Sequence, residues 1–132
     1  MIKVMLADDH AIVRDGLRFL LEAQGDIKVI AMASNGQEAV DQALLDCPDV
    51  VVMDISMPVM SGIEATQRIC EFCPHTQIMI LSMYHTAEHI QRAKQAGAVG
   101  YLLKDSAGAE LVTAIRSLHS GKGYFSQKII RS

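Results

Sequence analysis

Five side chains able to do chemistry stand where short apolar segments end. Asp8 and Asp9 follow Ile2 to Ala7, Asp54 closes the run from Val50 to Met53, Ser82 lies near the end of Gln77 to Met83, and Lys104 follows Val99 to Leu103. If these segments are neighbouring strands, Asp8, Asp9 and Asp54 converge beside an ammonium and a hydroxyl. Carboxylates that close together raise one another's pKa unless a cation cancels the repulsion. Because the carboxylates offer only oxygen, a hard divalent ion is expected, Mg²⁺ with several retained waters, held by Asp8, Asp9 and Asp54. Lys104 and Ser82 would then stabilise a phosphoryl group moving onto a carboxylate, a transfer that depends on positioning and charge. Asp54, central between the acidic pair and Lys104, is the expected nucleophile.

The elements that must hold these residues are legible in the periodicity. After the strand ending at Ala7, Val13, Leu17, Leu20 and Leu21 share one helical face. Ile27 to Ala33 reads as a second strand, and Val40, Ala43 and Leu44 mark a second helix broken by Pro48. Asp49 to Asp54 is apolar on both faces, as in the middle of a parallel sheet covered on each side. Ser61 caps a third helix that runs to Cys70 and Cys73 before Pro74. A fourth strand covers Gln77 to Met83, a fourth helix Thr86 to Ala96 with Gly97 as its stop, and a fifth strand Val99 to Leu103. Leu111, Ala114, Ile115 and Leu118 give a fifth helix that ends near Gly121. Strict alternation predicts a doubly wound α/β fold with right-handed crossovers, whose ligands bind at the carboxyl ends of the strands.

The composition fits one domain. A chain of 132 residues, half of them apolar, can bury a core without staples. Its formal charge of -3 gives no electrostatic footprint for nucleic acid. No apolar run approaches a membrane span and the N-terminus lacks the features of a signal peptide, so no membrane partner and a cytoplasmic location are expected. Three cysteines, Cys47, Cys70 and Cys73, are expected to stay reduced.

Ala7-Asp8-Asp9-His10, Met53-Asp54-Ile55-Ser56-Met57-Pro58 with Gly62 beyond it, Leu81-Ser82, and Tyr101-Leu102-Leu103-Lys104 together resemble the receiver domain of two-component response regulators. The resemblance covers about residues 2–121, sets the expected receiver domain at residues 1–121, and implies a flavodoxin-like (βα)5 sandwich with a five-stranded parallel sheet in the order 2-1-3-4-5. It implies that a sensor histidine kinase supplies the phosphate on Asp54, and that the backbone carbonyl of Ser56 joins Asp8, Asp9 and Asp54 around Mg²⁺. It also implies that Ser82 turns toward the phosphoryl group while Tyr101 swings inward, rearranging the face of the fourth helix, fifth strand and fifth helix. Such a domain catalyses only its own phosphorylation and dephosphorylation. Composition alone reads Tyr101 as a half-buried strand aromatic.

Asp-Asp-His at the start, Arg14-Asp15-Gly16-Leu17, Lys104-Asp105 and Gly121 to Ser126 resemble the NarL/FixJ subfamily, whose members usually continue into a LuxR-type helix-turn-helix. Residues 122–132, with Lys122, Lys128 and Arg131, are therefore expected to begin a linker to a missing DNA-binding output domain that regulates transcription. A natural stand-alone receiver acting through protein contacts is the alternative. A homodimer formed on phosphorylation would use exposed residues of the fourth and fifth helices. Two departures stand out. Most receivers have a cis proline after the strand 5 lysine, whereas a cis bond before Asp105 would cost about 3 kcal/mol. Ser56 and Tyr84 occupy the positions, two beyond the phosphoacceptor and two beyond the serine, that influence access of water.

Other signals point elsewhere. His85-Thr86-Ala87-Glu88-His89 matches the H-x-x-E-H pattern of a zinc metallopeptidase but has no evident third ligand, so exposed helix histidines are the better reading. Cys70-Glu71-Phe72-Cys73 resembles a redox C-x-x-C, but at a helix C-terminus the dipole opposes thiolate formation, and packing against the sheet is expected instead. A haloacid-dehalogenase-like phosphatase needs a second aspartate where Ser56 stands. His10, beside the acidic pair, either tunes it or serves the start of the helix.

Overall fold

A computed structural model describes residues 1–126, and residues 127–132, with Lys128 and Arg131, lie outside the described part. The elements alternate as predicted: β1 (Ile2–Ala7), α1 (Ala11–Glu22), β2 (Ile27–Ala33), α2 (Gly36–Leu45), β3 (Val50–Asp54), α3 (Gly62–Phe72), β4 (Gln77–Ser82), α4 (Ala87–Ala96), β5 (Gly100–Leu103) and α5 (Ala107–His119). A 3₁₀ turn over Lys104–Ser106 joins β5 to α5, and a two-residue β6 (Tyr124–Phe125) follows α5.

All strand pairs are parallel, in the order β2-β1-β3-β4-β5-β6. The first five positions match the expected order. The sixth strand corrects the expected count of five, and it carries the sheet past Gly121, where the sequence reading ended the domain. Two residues are too few to leave a period-2 signal, and β6 is held by partners instead. Tyr124 Oη and Ser126 Oγ donate to the two carboxylate oxygens of Glu110 in α5 at 2.7 and 2.9 Å, while Lys94 of α4 lies 4.7 Å from the Phe125 ring centre. Burial and the nearby Glu110 carboxylate push the Tyr124 hydroxyl up to about 12.

The sheet is apolar on both faces because helices cover both. Val51, Met53, Ile78, Ile80 and Tyr101 face Ala39, Val40, Ala65, Ile69 and Ala93 of α2, α3 and α4. Val50, Val52, Met79, Leu81 and Leu102 face Leu21 of α1 and Leu111, Ala114, Ile115 and Leu118 of α5. Local signals set the helix ends. Ser61 and Thr86 accept from the amides of Glu64 and His89, and Gly97, at φ 113°, stops α4 in the left-handed region that glycine tolerates.

At the amino edge of the sheet the expectation of reduced cysteines is corrected. Cys47, after α2, and Cys73, after α3, are joined by a disulfide with Cα atoms 5.8 Å apart. Cys73 is therefore paired across the fold rather than with Cys70 in a C-x-x-C, and Cys70 is free and half-buried. Both Cys70 and Cys73 do pack in the core on the α2–α4 side, as anticipated. No peptide among the described residues is cis, the Lys104–Asp105 bond included.

Candidate functional site

The strand order fixes which chain ends meet. β3 lies between β1 and β4, and β4 between β3 and β5, so Asp8, Asp54, Ser82 and Lys104 emerge at one edge. Asp54 is paired in register with Leu81, which puts Ser82 one residue further along the adjacent strand. Asp8 and Asp54 are each only 2 % exposed and Ser82 is fully buried. Lys104 Nζ lies 3.1 Å from Asp54 Oδ2 and 3.3 Å from Asp8 Oδ2, so one ammonium bridges two buried carboxylates.

The remaining oxygens are held locally. Asp54 Oδ1 accepts from the Ser56 amide at 3.2 Å, and Asp8 Oδ1 from the His10 amide at 2.8 Å. Asp8 Oδ2 is buried and accepts no hydrogen bond, its contact with Lys104 being an ion pair alone. Arg14, in the first turn of α1, reaches back to the Asp8 carbonyl at 2.7 Å. Asp9 is the more open member of the acidic pair.

Burial pushes the Asp54 carboxyl above its ordinary value, the Lys104 hydrogen bond opposes this, and the charge of Asp8 adds to the rise. Burial pulls the Lys104 ammonium down, but its hydrogen bond to Asp54 and the charges of Asp54 and Asp8 outweigh that and hold it above the usual lysine range. The first shift is set mainly by burial and the second by the two neighbouring carboxylates. Among the described residues, donor atoms of Asp8, Asp9, His10 and Asp54 form the one group that converges as a metal site would require. A buried carboxylate oxygen lacking a hydrogen bond, set among hard donors, fits a divalent cation held through oxygen. A cleft of about 100 Å³ opens between His10, Asp54, Ser56, Met83, Tyr84 and Lys104.

Behind the cleft, Ser82 Oγ accepts from the Tyr84 amide at 3.0 Å, and the Tyr101 hydroxyl donates to the Tyr84 carbonyl at 2.6 Å. Tyr101 is fully buried, which corrects the half-buried reading from composition. Burial raises its pKa, with Ser82 opposing. The rival zinc motif does not assemble. His89 Nδ1 contacts the Thr86 hydroxyl at 2.6 Å and its ring stacks on Tyr84 with centres 4.9 Å apart.

The sequence reading missed why Gly62 is needed. A Cβ there would collide with the Asp54 carbonyl oxygen, because α3 begins directly against the end of β3 and the Gly62 amide donates to Ile55 O at 3.1 Å. It also missed the turn between the two. Val59 has φ 69°, and the Met60 amide closes onto Pro58 O at 2.7 Å. No residue type announces either feature, since both depend on the path of the loop.

The profile of the response regulator receiver domain matches residues 4–116. The oxygen regulatory protein NreC of Staphylococcus epidermidis is 40 % identical over 131 residues, which cover 98 % of this chain and 60 % of that protein. The chain thus spans about three fifths of the length of that curated relative. Among solved structures, a LuxR-family two-component response regulator from Aurantimonas superposes with TM-score 0.94 at 38 % identity, covering 99 % of this chain and 94 % of the other. The receiver domain of the response regulator NarL from Mycobacterium tuberculosis gives 0.87 at 30 % identity, covering 92 % and 98 %.

Proposed function

Since the chain belongs to the response regulator receiver domain family, in its NarL/FixJ branch, we propose that Asp54 is the phosphoacceptor of a two-component signalling switch. The observation that carries this is the single ammonium of Lys104 set between the buried carboxylates of Asp54 and Asp8 at the mouth of a small cleft. A carboxylate nucleophile needs its attacking oxygen oriented, and the Ser56 amide and Lys104 hold one Asp54 oxygen each. Lys104 then faces the charge that accumulates on the arriving phosphoryl oxygens.

Asp8, Asp9 and Asp54, with the Ser56 carbonyl, would hold Mg²⁺. When bound, that ion supplies the positive charge that lets a phosphoryl dianion settle beside two carboxylates. Ser82 and Tyr101 read the modification out. The peptide units of Tyr84 join them, since Ser82 holds its amide and Tyr101 its carbonyl. Ser82 turning toward the phosphoryl group loosens the first of these bonds and shifts the loop that the second ties to Tyr101. Helix α4 and strand β5 flank that loop, so their outer face changes.

The donor is a sensor histidine kinase, the chain acts in the cytoplasm and catalyses only its own phosphorylation and dephosphorylation, and the readout regulates a DNA-binding output in the longer protein. A homodimer through α4 and α5 is the expected intermediate state. Intact-protein mass after incubation with acetyl phosphate and Mg²⁺ tests the reading. One added phosphoryl group, lost with EDTA and lost in Asp54→Asn, is the expected result. Full labelling of Asp54→Asn would remove Asp54 from its role.

A further inference from the structure

One donor at the acidic site is left unused by the carboxylate reading. His10 is the N-cap of α1, yet its side chain makes no capping hydrogen bond, so the helix does not account for its position. Instead its Nδ1 lies 3.2 Å from Asp8 Oδ1 and 3.2 Å from Asp9 Oδ1. Taking one atom from each residue, the donors of Asp8, Asp9, His10 and Asp54 all lie within 4.8 Å of one another. An octahedral ion with ligands at about 2.1 Å separates adjacent donors by about 3 Å and opposite donors by about 4.2 Å. The 3.2 Å spacing of His10 from the two aspartates is close to an octahedral edge, whereas the spread of up to 4.8 Å across all four donors is wider than such an ion spans, so the group closes by a few tenths of an ångström on binding. Independently, the buried Asp8 Oδ2 in the same pocket accepts no hydrogen bond and is met only by the Lys104 ammonium at 3.3 Å, which it shares with Asp54.

We infer that His10 Nδ1 is a nitrogen donor to the cation held by the aspartates, and that it shifts the site from Mg²⁺ toward first-row transition ions, of which Mn²⁺ is the hardest and so sets the smallest expected shift. The inference rests on the reading that the acidic cluster holds a divalent cation. Its chemistry is that of ligand softness. Mg²⁺ keeps its waters and favours oxygen, whereas imidazole suits the transition metals, whose affinity for nitrogen rises along the first row. The ring is well placed to deliver this donor because its outer part is exposed, with the side chain 65 % accessible. An imidazole that only donates a hydrogen bond to the two carboxylates would have the same neighbours in the absence of metal, and the two roles separate once metal is added.

The test uses Mn²⁺ as the probe. Electron spin echo modulation of the Mn²⁺ complex detects directly bound imidazole nitrogen, and competition titration gives the ratio of Mn²⁺ to Mg²⁺ affinity, each for the wild type and for His10→Ala. The expected result is nitrogen modulation in the wild type only, with the Mn²⁺ preference falling on the order of tenfold in His10→Ala. An amide spectrum of His10→Ala confirms its fold. Mn²⁺ bound without nitrogen modulation, at an affinity ratio unchanged by His10→Ala, would overturn the inference and leave the carboxylate site standing. Failure of Mn²⁺ to bind either protein would remove both that site and the inference.

Discussion

At the carboxyl edge of the sheet, Asp8 and Asp54 share one ammonium, and a buried carboxylate oxygen goes without a hydrogen bond. At the amino edge, the polar groups are matched. Asp49 Oδ2 accepts from the Lys3 amide at 2.8 Å, the Thr76 hydroxyl donates to Pro48 O at 2.7 Å, and Arg116 grips Asp26 through two bonds of 3.0 and 2.9 Å. The Cys47–Cys73 disulfide ties the same edge covalently. Both edges belong to the same strands, so the difference is not one of fold. It shows where the molecule tolerates electrostatic cost: at the edge that carries the proposed phosphoacceptor site, with the opposite edge carrying stability.

The comparison can be tested by substitutions at each edge. The largest effect is expected from Cys47→Ser, which opens a loop with sequence separation 26. On the chain-entropy account this costs about 3.5 kcal/mol, read as a lower urea midpoint. Labelling by acetyl phosphate should persist under native conditions, because the disulfide and Asp54 sit at opposite ends of β3. Lys104→Met is the converse at the carboxyl edge. It leaves two buried carboxylates without their cation and should cost about 2.5 kcal/mol at neutral pH, below the full range for breaking a buried pair because the ammonium is partly solvated. Added Mg²⁺ should restore much of that loss, and no such rescue is expected for Cys47→Ser.

The pH dependence has opposite signs at the two edges. Asp54 has its pKa raised by burial, so between the unfolded carboxylate value and that raised value the folded state holds the extra proton, and stability falls as pH rises. Asp26 has its pKa lowered by the Arg116 hydrogen bond, so its contribution is present above the unfolded value and is lost as pH falls through the lowered one. In EDTA, Asp54→Asn should be more stable than wild type at pH 7, the gap closing on acidification; urea unfolding across pH 3 to 7 measures it. A gap that widened toward low pH would contradict the assignment. The smallest effect is expected from Val59→Gly. A β-branched residue at positive φ costs about 1–2 kcal/mol, and glycine returns about 0.5–1 of that through chain entropy. A net gain of about 0.5 kcal/mol should show as a slightly higher urea midpoint.

The sheet was legible because its strands are apolar on both faces and each ends in a residue that breaks the run. β1 and β2 fall where the apolar segments place them, and Asp54, Ser82 and Lys104 are recognisable as strand-end residues by type alone. The disulfide was not legible. Cys47 and Cys73 meet only because α2 and α3 end side by side at the amino edge, and the local Cys70-x-x-Cys73 spacing drew attention to the wrong partner. The role of Gly62 depends on a backbone approach between residues on either side of a loop. His10 lay in plain view beside the acidic pair, but the direction of its ring depends on how the chain turns into α1, which periodicity does not encode.

The disulfide also makes the stretch from Cys47 to Cys73 a closed ring of covalent bonds, with Asp54 as one of its members. A protease that cuts the exposed Pro58–Val59 segment would break the backbone without dividing the molecule, and the nicked product would migrate as one species until a thiol is added. The ring thereby separates two properties that a linear chain keeps together, continuity of the peptide through the loop after Asp54 and the physical unity of the protein.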